Sequence, residues 1–133
     1  MRRAGAAAML ALLLGAAGPA PDDAITSYCG GGVTGGGGGL RITPDGAVVR
    51  LRRPLAGAPV EEMRIEDRAS PYARIAALLD AAGFDRMPRG EPSNMTCSLT
   101  RRHGGQSHQV MWGIGRAPAA LQPALREIEA AGR

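Results

Sequence analysis

Apolar and polar residues alternate most regularly between Met95 and Ile114. Two runs rich in Thr, Val, Leu and Trp flank Gly104-Gly105, the pattern of a β-hairpin closed by a two-residue turn. With those glycines as the loop, His103 faces Gln106, Arg101 faces His108, Leu99 faces Val110, Cys97 faces Trp112 and Met95 faces Ile114. Side chains alternate between faces along a strand, so Met95, Cys97, Leu99, Val110, Trp112 and Ile114 share one side. Thr96, Ser98, Thr100, Ser107 and Gln109 share the other, with Met111 the one exception. Turn chemistry and hydrophobic alternation are independent signals, and here they agree.

Elsewhere the pattern is less regular. Ala24–Cys29 is short and mixed and predicts an edge strand. In Gly30–Gly39 only Val33 and Thr34 are not glycine. Such a run has no side chains to pack and a high unfolded entropy, so it predicts a mobile loop. Leu40–Thr43 and Ala47–Arg53 read as strands around the turn Thr43-Pro44-Asp45-Gly46, where Pro presets the first central φ and Gly supplies a positive one. Their register stays open. A three-residue loop pairs Ile42 with Val48, matching the apolar sides pairs it with Val49, and a bulge reconciles the two. Pro54–Pro59 reads as loop. In Val60–Glu66, Met63 and Ile65 alternate with Glu62, Arg64 and Glu66, which predicts a further strand.

Two helices follow from the 3.6-residue period. Ser70 as N-cap and Pro71 at the first helical position open one, and Ile75, Leu78, Leu79 and Ala82 fall on its apolar face. Gly83 stands where a helix stops, and Phe84 is placed to pack beneath it. Pro118–Ala131 predicts a second helix with Leu121, Ala124, Leu125 and Ile128 inward. Pro123 must lie in its first turn, or the helix starts later than Pro118. The elements add up to an α+β fold: an antiparallel sheet of four to five strands with two helices packed on one face, the other face polar.

Composition bounds this picture. A chain of 133 residues holds one domain, and with aromatics at 3% its core rests on aliphatic side chains. Arg2-Arg3, the apolar run Ala4–Ala17 and the small residues up to Ala20 have the order of a secretory signal peptide. The expected organisation is a signal peptide over 1–20 and one small α+β domain over 21–133, with a glycine-rich loop at 30–39. Gly18-Pro19-Ala20 and Gly15-Ala16-Ala17 are the two cleavage options. No lipid-attachment pattern precedes Cys29, which points to a periplasmic or secreted product with no membrane span after processing. The formal charge of +4 drops by the two arginines of the leader. Acids interleave with the remaining arginines, so no basic stripe indicates nucleic-acid binding. Two cysteines in an exported domain favour a Cys29–Cys97 disulfide over free thiols. It would close a loop of roughly 69 residues, worth about 4 kcal/mol in the chain-entropy model.

Catalytic chemistry finds little support. Gly30, Gly32 and Gly35 satisfy G-x-G-x-x-G literally, but a strand pattern follows where a dinucleotide site needs a helix. Cys97 and His108 are four residues apart along the ribbon, roughly 13 Å, too far for a nucleophile and its base. His103 and His108 are diagonal neighbours but lack a third ligand, and Arg101 stands beside them. No catalytic residue, metal or cofactor is therefore assigned. The candidate binding residues are Val33 and Thr34 in the glycine run and Arg101, His103 and His108 at the hairpin end.

From Cys29 to Ala130 the element order is similar to small bacterial protease-inhibitor domains of the emfourin type. The points of similarity are Gly31-Gly32-Val33-Thr34-Gly35, the helix closing at Leu78–Phe84, the Gly104-Gly105 hairpin and the final Pro-x-x-Leu helix. Val33 stands where that family has an aromatic residue, and the export signal and paired cysteines depart from it. The chain looks equally like uncharacterised exported α+β domains. The resemblance implies a binding module that inhibits an exported peptidase. The alternative is a structural or cell-envelope-associated domain whose open sheet face meets another component.

Overall fold

The computed structural model describes residues 22–65 and 71–133. The expected signal peptide and the N-cap Ser70 lie outside the described residues. Strands β1 (Ala24–Gly31), β2 (Gly37–Ile42), β3 (Val48–Arg53) and β4 (Glu61–Ile65) form a meander. Helix α1 (Tyr72–Ala81) follows, then β5 (Met95–His103), β6 (Gln106–Gly113) and α2 (Gln122–Ala131). The sheet has six strands in the order β4-β3-β2-β1-β5-β6, and every neighbouring pair is antiparallel. This is the expected α+β class with more strands than the four to five predicted.

The added order comes from β1. Its mixed sequence suggests an edge, yet it is a central strand, hydrogen-bonded to β2 on one side and β5 on the other. The expectation of a loop over 30–39 is also corrected. Gly30 and Gly31 complete β1, and Gly37, Gly38 and Gly39 begin β2. These glycines lie in close-packed sheet: a Cβ on Gly39 would sit 1.8 Å from the Ser27 carbonyl oxygen. Only the turn between Gly31 and Gly37 is loop.

The β5–β6 hairpin has the register expected of it, with Cys97 opposite Trp112 and Arg101 opposite His108. Gly104 and Gly105 both take positive φ, 57° and 79°, as a two-residue hairpin turn of this type demands. Ile114 is the exception to the expected inward row, because β6 ends at Gly113 and Ile114 is exposed. In the β2–β3 hairpin Ile42 pairs with Val48. The Thr43–Gly46 turn, with the Gly46 N–H donating to the Thr43 carbonyl, the Thr43 N–H to the Ala47 carbonyl and Gly46 at φ 99°, closes the connection with Ile42 opposite Val48 and not Val49.

Ile25, Ile42, Val48, Cys97, Leu99, Val110 and Trp112 fall on one side of the sheet by alternation and pairing. They share a single buried cluster with Ile75 and Leu79 of α1, Phe84, Leu121, and Ala124 and Ile128 of α2. Pro71 precedes α1 instead of opening it. Gly83, at φ 67°, turns the chain into a short 3-10 segment that buries Phe84. The second helix starts at Gln122, which puts Pro123 in its first turn. Among the described residues no helix is long and apolar enough to cross a membrane.

Candidate functional site

The β1–β2 turn is built from glycines that reach conformations other residues avoid: Gly31, Gly32 and Gly35 have φ of 116°, 69° and 66°. The Gly31 N–H donates to the Gly36 carbonyl at 3.0 Å, and Gly35 donates back to Gly32 at 3.3 Å. Neighbouring segments brace it. Gly32 donates to the Asn94 carbonyl at 2.8 Å, and Ala56 of the β3–β4 connection donates to the Thr34 carbonyl at 2.8 Å. The Thr34 hydroxyl accepts from the Gly36 N–H. Two residues before Gly31, Cys29 is bonded to its cross-strand partner Cys97, with Cα atoms 4.0 Å apart. The tip is thus held while Val33 projects wholly into solvent, at 106% relative exposure. Leu55, Val60 and Ile114, also exposed, lie in the connections at this same end of the sheet, where Gly31 pairs with Met95 and Gly37 with Arg53.

The other three predicted residues sit towards the opposite end: Arg101 and His103 are six and eight positions along β5 from Met95, about 20 and 27 Å, and His108 on β6 faces Arg101. The structure therefore does not bring the five together. Arg101 is buried, and its guanidinium pairs with Asp80 of α1 at 2.5 Å. His108 Nε2 lies 2.9 Å from the Met87 carbonyl, and its ring meets Phe84 edge to face at 5.3 Å. These contacts fasten α1 and the following segment to the hairpin. His103 is more exposed, its Nδ1 3.6 Å from the carboxylate of Asp23. Asp23, itself buried, accepts the Gly104 N–H at 3.0 Å and so ties the entry of β1 to the hairpin turn. Sequence reasoning missed Asp23. Its burial depends on a long-range contact that no local pattern records. Burial pushes the Tyr72 hydroxyl above its ordinary pKa, with the Asp23 charge adding to the effect.

The sheet face opposite the core is mixed instead of polar as expected: by register Val49, Leu51, Tyr28 and Met111 share it with Arg41, Thr26 and Thr100, and Leu51 is buried there. Arg41 pairs with Glu62 at 2.6 Å across β3. That hydrogen bond raises the Arg41 pKa and lowers that of Glu62. Beside the braced turn a depression of about 190 Å³ is lined by Tyr28, Arg53, Thr96, Ser98, Gln109, Met111 and the glycine backbone. Tyr28 lies over the glycines. Its Cε1 is 2.9 Å from where a Gly30 Cβ would be, and its hydroxyl 2.6 Å from that of Gly37. Tyr28 and Arg53 were not among the predicted residues. The available signal was an aromatic two positions before a glycine run, and it became readable only through the pairing of Tyr28 with Gly39 and of Gly37 with Arg53.

Both cysteines are in the disulfide, so neither is available as a nucleophilic thiol. Gly30, Gly32 and Gly35 lead into strand β2, so no helix N-terminus stands there to hold a phosphate. Among the described residues no group of three or more His, Cys, Asp or Glu side chains converges as a metal site. Compared with known proteins, the chain matches no family model and no curated sequence.

Proposed function

We propose that the chain is an exported binding module that inhibits a peptidase outside the cytoplasm, engaging it through the β1–β2 turn. The observation that carries this reading is Val33, fully exposed on a turn cross-braced by Asn94, Ala56 and the nearby disulfide. A recognition segment held in one conformation loses little entropy on binding, which answers the objection that a flexible glycine loop would pay heavily. The resemblance to emfourin-type inhibitors supports the same reading. In it both helices cover one sheet face, and Arg101 and His108 belong to the scaffold rather than to the contact.

The test is residual activity of exported peptidases from the same organism, titrated with the oxidised, processed chain. Inhibition at or below micromolar concentration is expected. Val33→Asp should weaken it by about 10-fold or more, since burying a Val side chain is worth about 1.5–3 kcal/mol. Absence of inhibition at micromolar chain, or equal inhibition by the variant, would refute the proposal. The sheet face away from the described helices, with its depression beside Tyr28, favours the second reading: a structural or cell-envelope-associated domain without catalytic activity.

A further inference from the structure

We infer that the open sheet face carries a binding site for an acidic saccharide, with Tyr28 as the stacking platform and Arg53 as the carboxylate partner. The site stands without the peptidase reading, and it would give the envelope-associated reading a ligand.

The glycines set the geometry. Gly30 and Gly37 are cross-strand partners, and with no side chain on either the Tyr28 ring lies down on the backbone instead of standing upright. A methyl group at either position would fall within 3 Å of it. The Cε1 edge and hydroxyl of the ring thus lie over the glycines, and the half-buried ring lines the depression as its apolar surface. A pyranose ring offers a C–H face of matching size, with hydroxyls around its edge. Ser98 is the cross-strand partner of Tyr28. Its hydroxyl and the Gln109 amide oxygen, whose NH2 donates to Thr100, give the depression hydrogen-bonding groups for such hydroxyls. A few polar groups around an apolar platform are what fix the orientation of a small ligand.

Charge selects the saccharide. Arg53 lines the depression, and among the described residues no acidic side chain does. Among the described residues Arg53 makes no ion pair, and its buried Nε has no hydrogen-bond partner. A guanidinium fork matches a carboxylate in bidentate geometry, which a uronic acid provides on the sugar itself. Farther along the same face a second depression, about 360 Å³, is lined by Thr26, Thr100, Arg41 and Arg102, with Asp22 and Asp23 also on its wall. Thr26 is two residues from Tyr28 on β1, about 7 Å away, so an oligosaccharide of several units would reach both. A single aromatic on the face argues against a nucleic-acid strand, whose successive bases need successive stacking partners.

The experiment uses the oxidised, processed chain at low ionic strength. Hexagalacturonate, cellohexaose and a thymidine hexanucleotide serve as probes, read by calorimetry and by amide chemical shifts. The acid hexamer should bind, perturbing Tyr28, Ser98 and Gln109, and cellohexaose should bind at least 10-fold more weakly. Arg53→Gln should weaken hexagalacturonate by about 10-fold or more, consistent with loss of a charge-assisted hydrogen bond. Tyr28→Leu should do the same, whereas Tyr28→Phe, which keeps the ring, should bind like the parent. Should Tyr28→Leu fail to fold, the Phe and Arg53→Gln variants carry the test. Val33→Asp should leave saccharide binding unchanged, so failure of this site and failure of the peptidase reading are read separately. No binding at millimolar hexagalacturonate, equal affinity for cellohexaose, undiminished binding by Arg53→Gln, or tighter binding of the oligonucleotide would each overturn the inference.

Discussion

Substituting Gly39 by Ala separates two opposite views of the glycine run. Were the segment a mobile loop, alanine would restrict the unfolded chain and stabilise the protein by about 0.4–1 kcal/mol. In the structure Gly39 is a strand residue paired with Tyr28 on one side and Leu51 on the other. The new Cβ would lie 1.8 Å from the Ser27 carbonyl oxygen and 2.8 Å from both the Ser27 carbonyl carbon and the Tyr28 Cα. All three are backbone atoms, so no rotamer change relieves the clash and β1 must move away from β2. Overpacking of this kind costs about 1–3 kcal/mol. The ladder bonds loosened beside it add about 1 kcal/mol each, so the expected loss is about 2–4 kcal/mol. Gly38→Ala, whose Cβ would meet only the Leu51 carbonyl oxygen at 3.0 Å, should cost less. Urea unfolding of the oxidised chain, monitored by Trp112 fluorescence, measures both, and thermal unfolding should show Gly39→Ala melting lower by upwards of about 10 °C. A Gly39→Ala variant as stable as the parent, or more so, would refute the placement of these glycines inside the sheet.

Removing the Cys29–Cys97 bridge, which spans a sequence separation of 68, should destabilise by up to about 4 kcal/mol. Urea unfolding of the Cys29→Ser/Cys97→Ser variant checks this, and mass spectrometry of the unreduced parent should find neither sulfur alkylatable. Asp80→Ala strips the carboxylate, itself 66% exposed, from the buried Arg101 and should cost about 1–2 kcal/mol, less than a fully buried pair because solvent screens the Asp80 side. Glu129→Ala, which breaks the solvent-exposed pair with Arg133, should change stability by less than about 1 kcal/mol in the same denaturation assay. The Glu62 carboxyl, held below its ordinary value of 4.5 by its hydrogen bond from Arg41, should titrate lower in the folded than in the unfolded chain. Its folded pKa is depressed, so its contribution is present above the unfolded pKa and disappears as pH falls through the folded one. Carboxyl-carbon NMR should show the midpoint of Glu62 returning towards 4.5 in Arg41→Gln.

Much of the candidate site was hidden from the sequence, for a traceable reason. The facing of Arg101 and His108 follows from the hairpin register alone. What those side chains do depends on Asp80, 21 residues before Arg101, and on Met87, 21 residues before His108. Tyr28 and Arg53 share a depression only because β1 and β3 flank the same glycine strand. Val33 needed no such help to be noticed, since an apolar residue inside a glycine run stands out. That its turn is braced rather than loose came from Asn94 and Ala56, contacts made across separate connections.

The hairpin register, the helix faces and the Thr43–Gly46 turn were determined by the sequence itself, because each rests on residues within a few positions of one another. A turn type and an alternation period are local properties, and the chain carries them wherever it folds. Tertiary structure alone decided that β1 is central and that glycines 37 to 39 are strand. A glycine backbone has no side chain to declare its state, so its conformation is set by whatever lies beside it, here Ser27, Cys29 and Leu51.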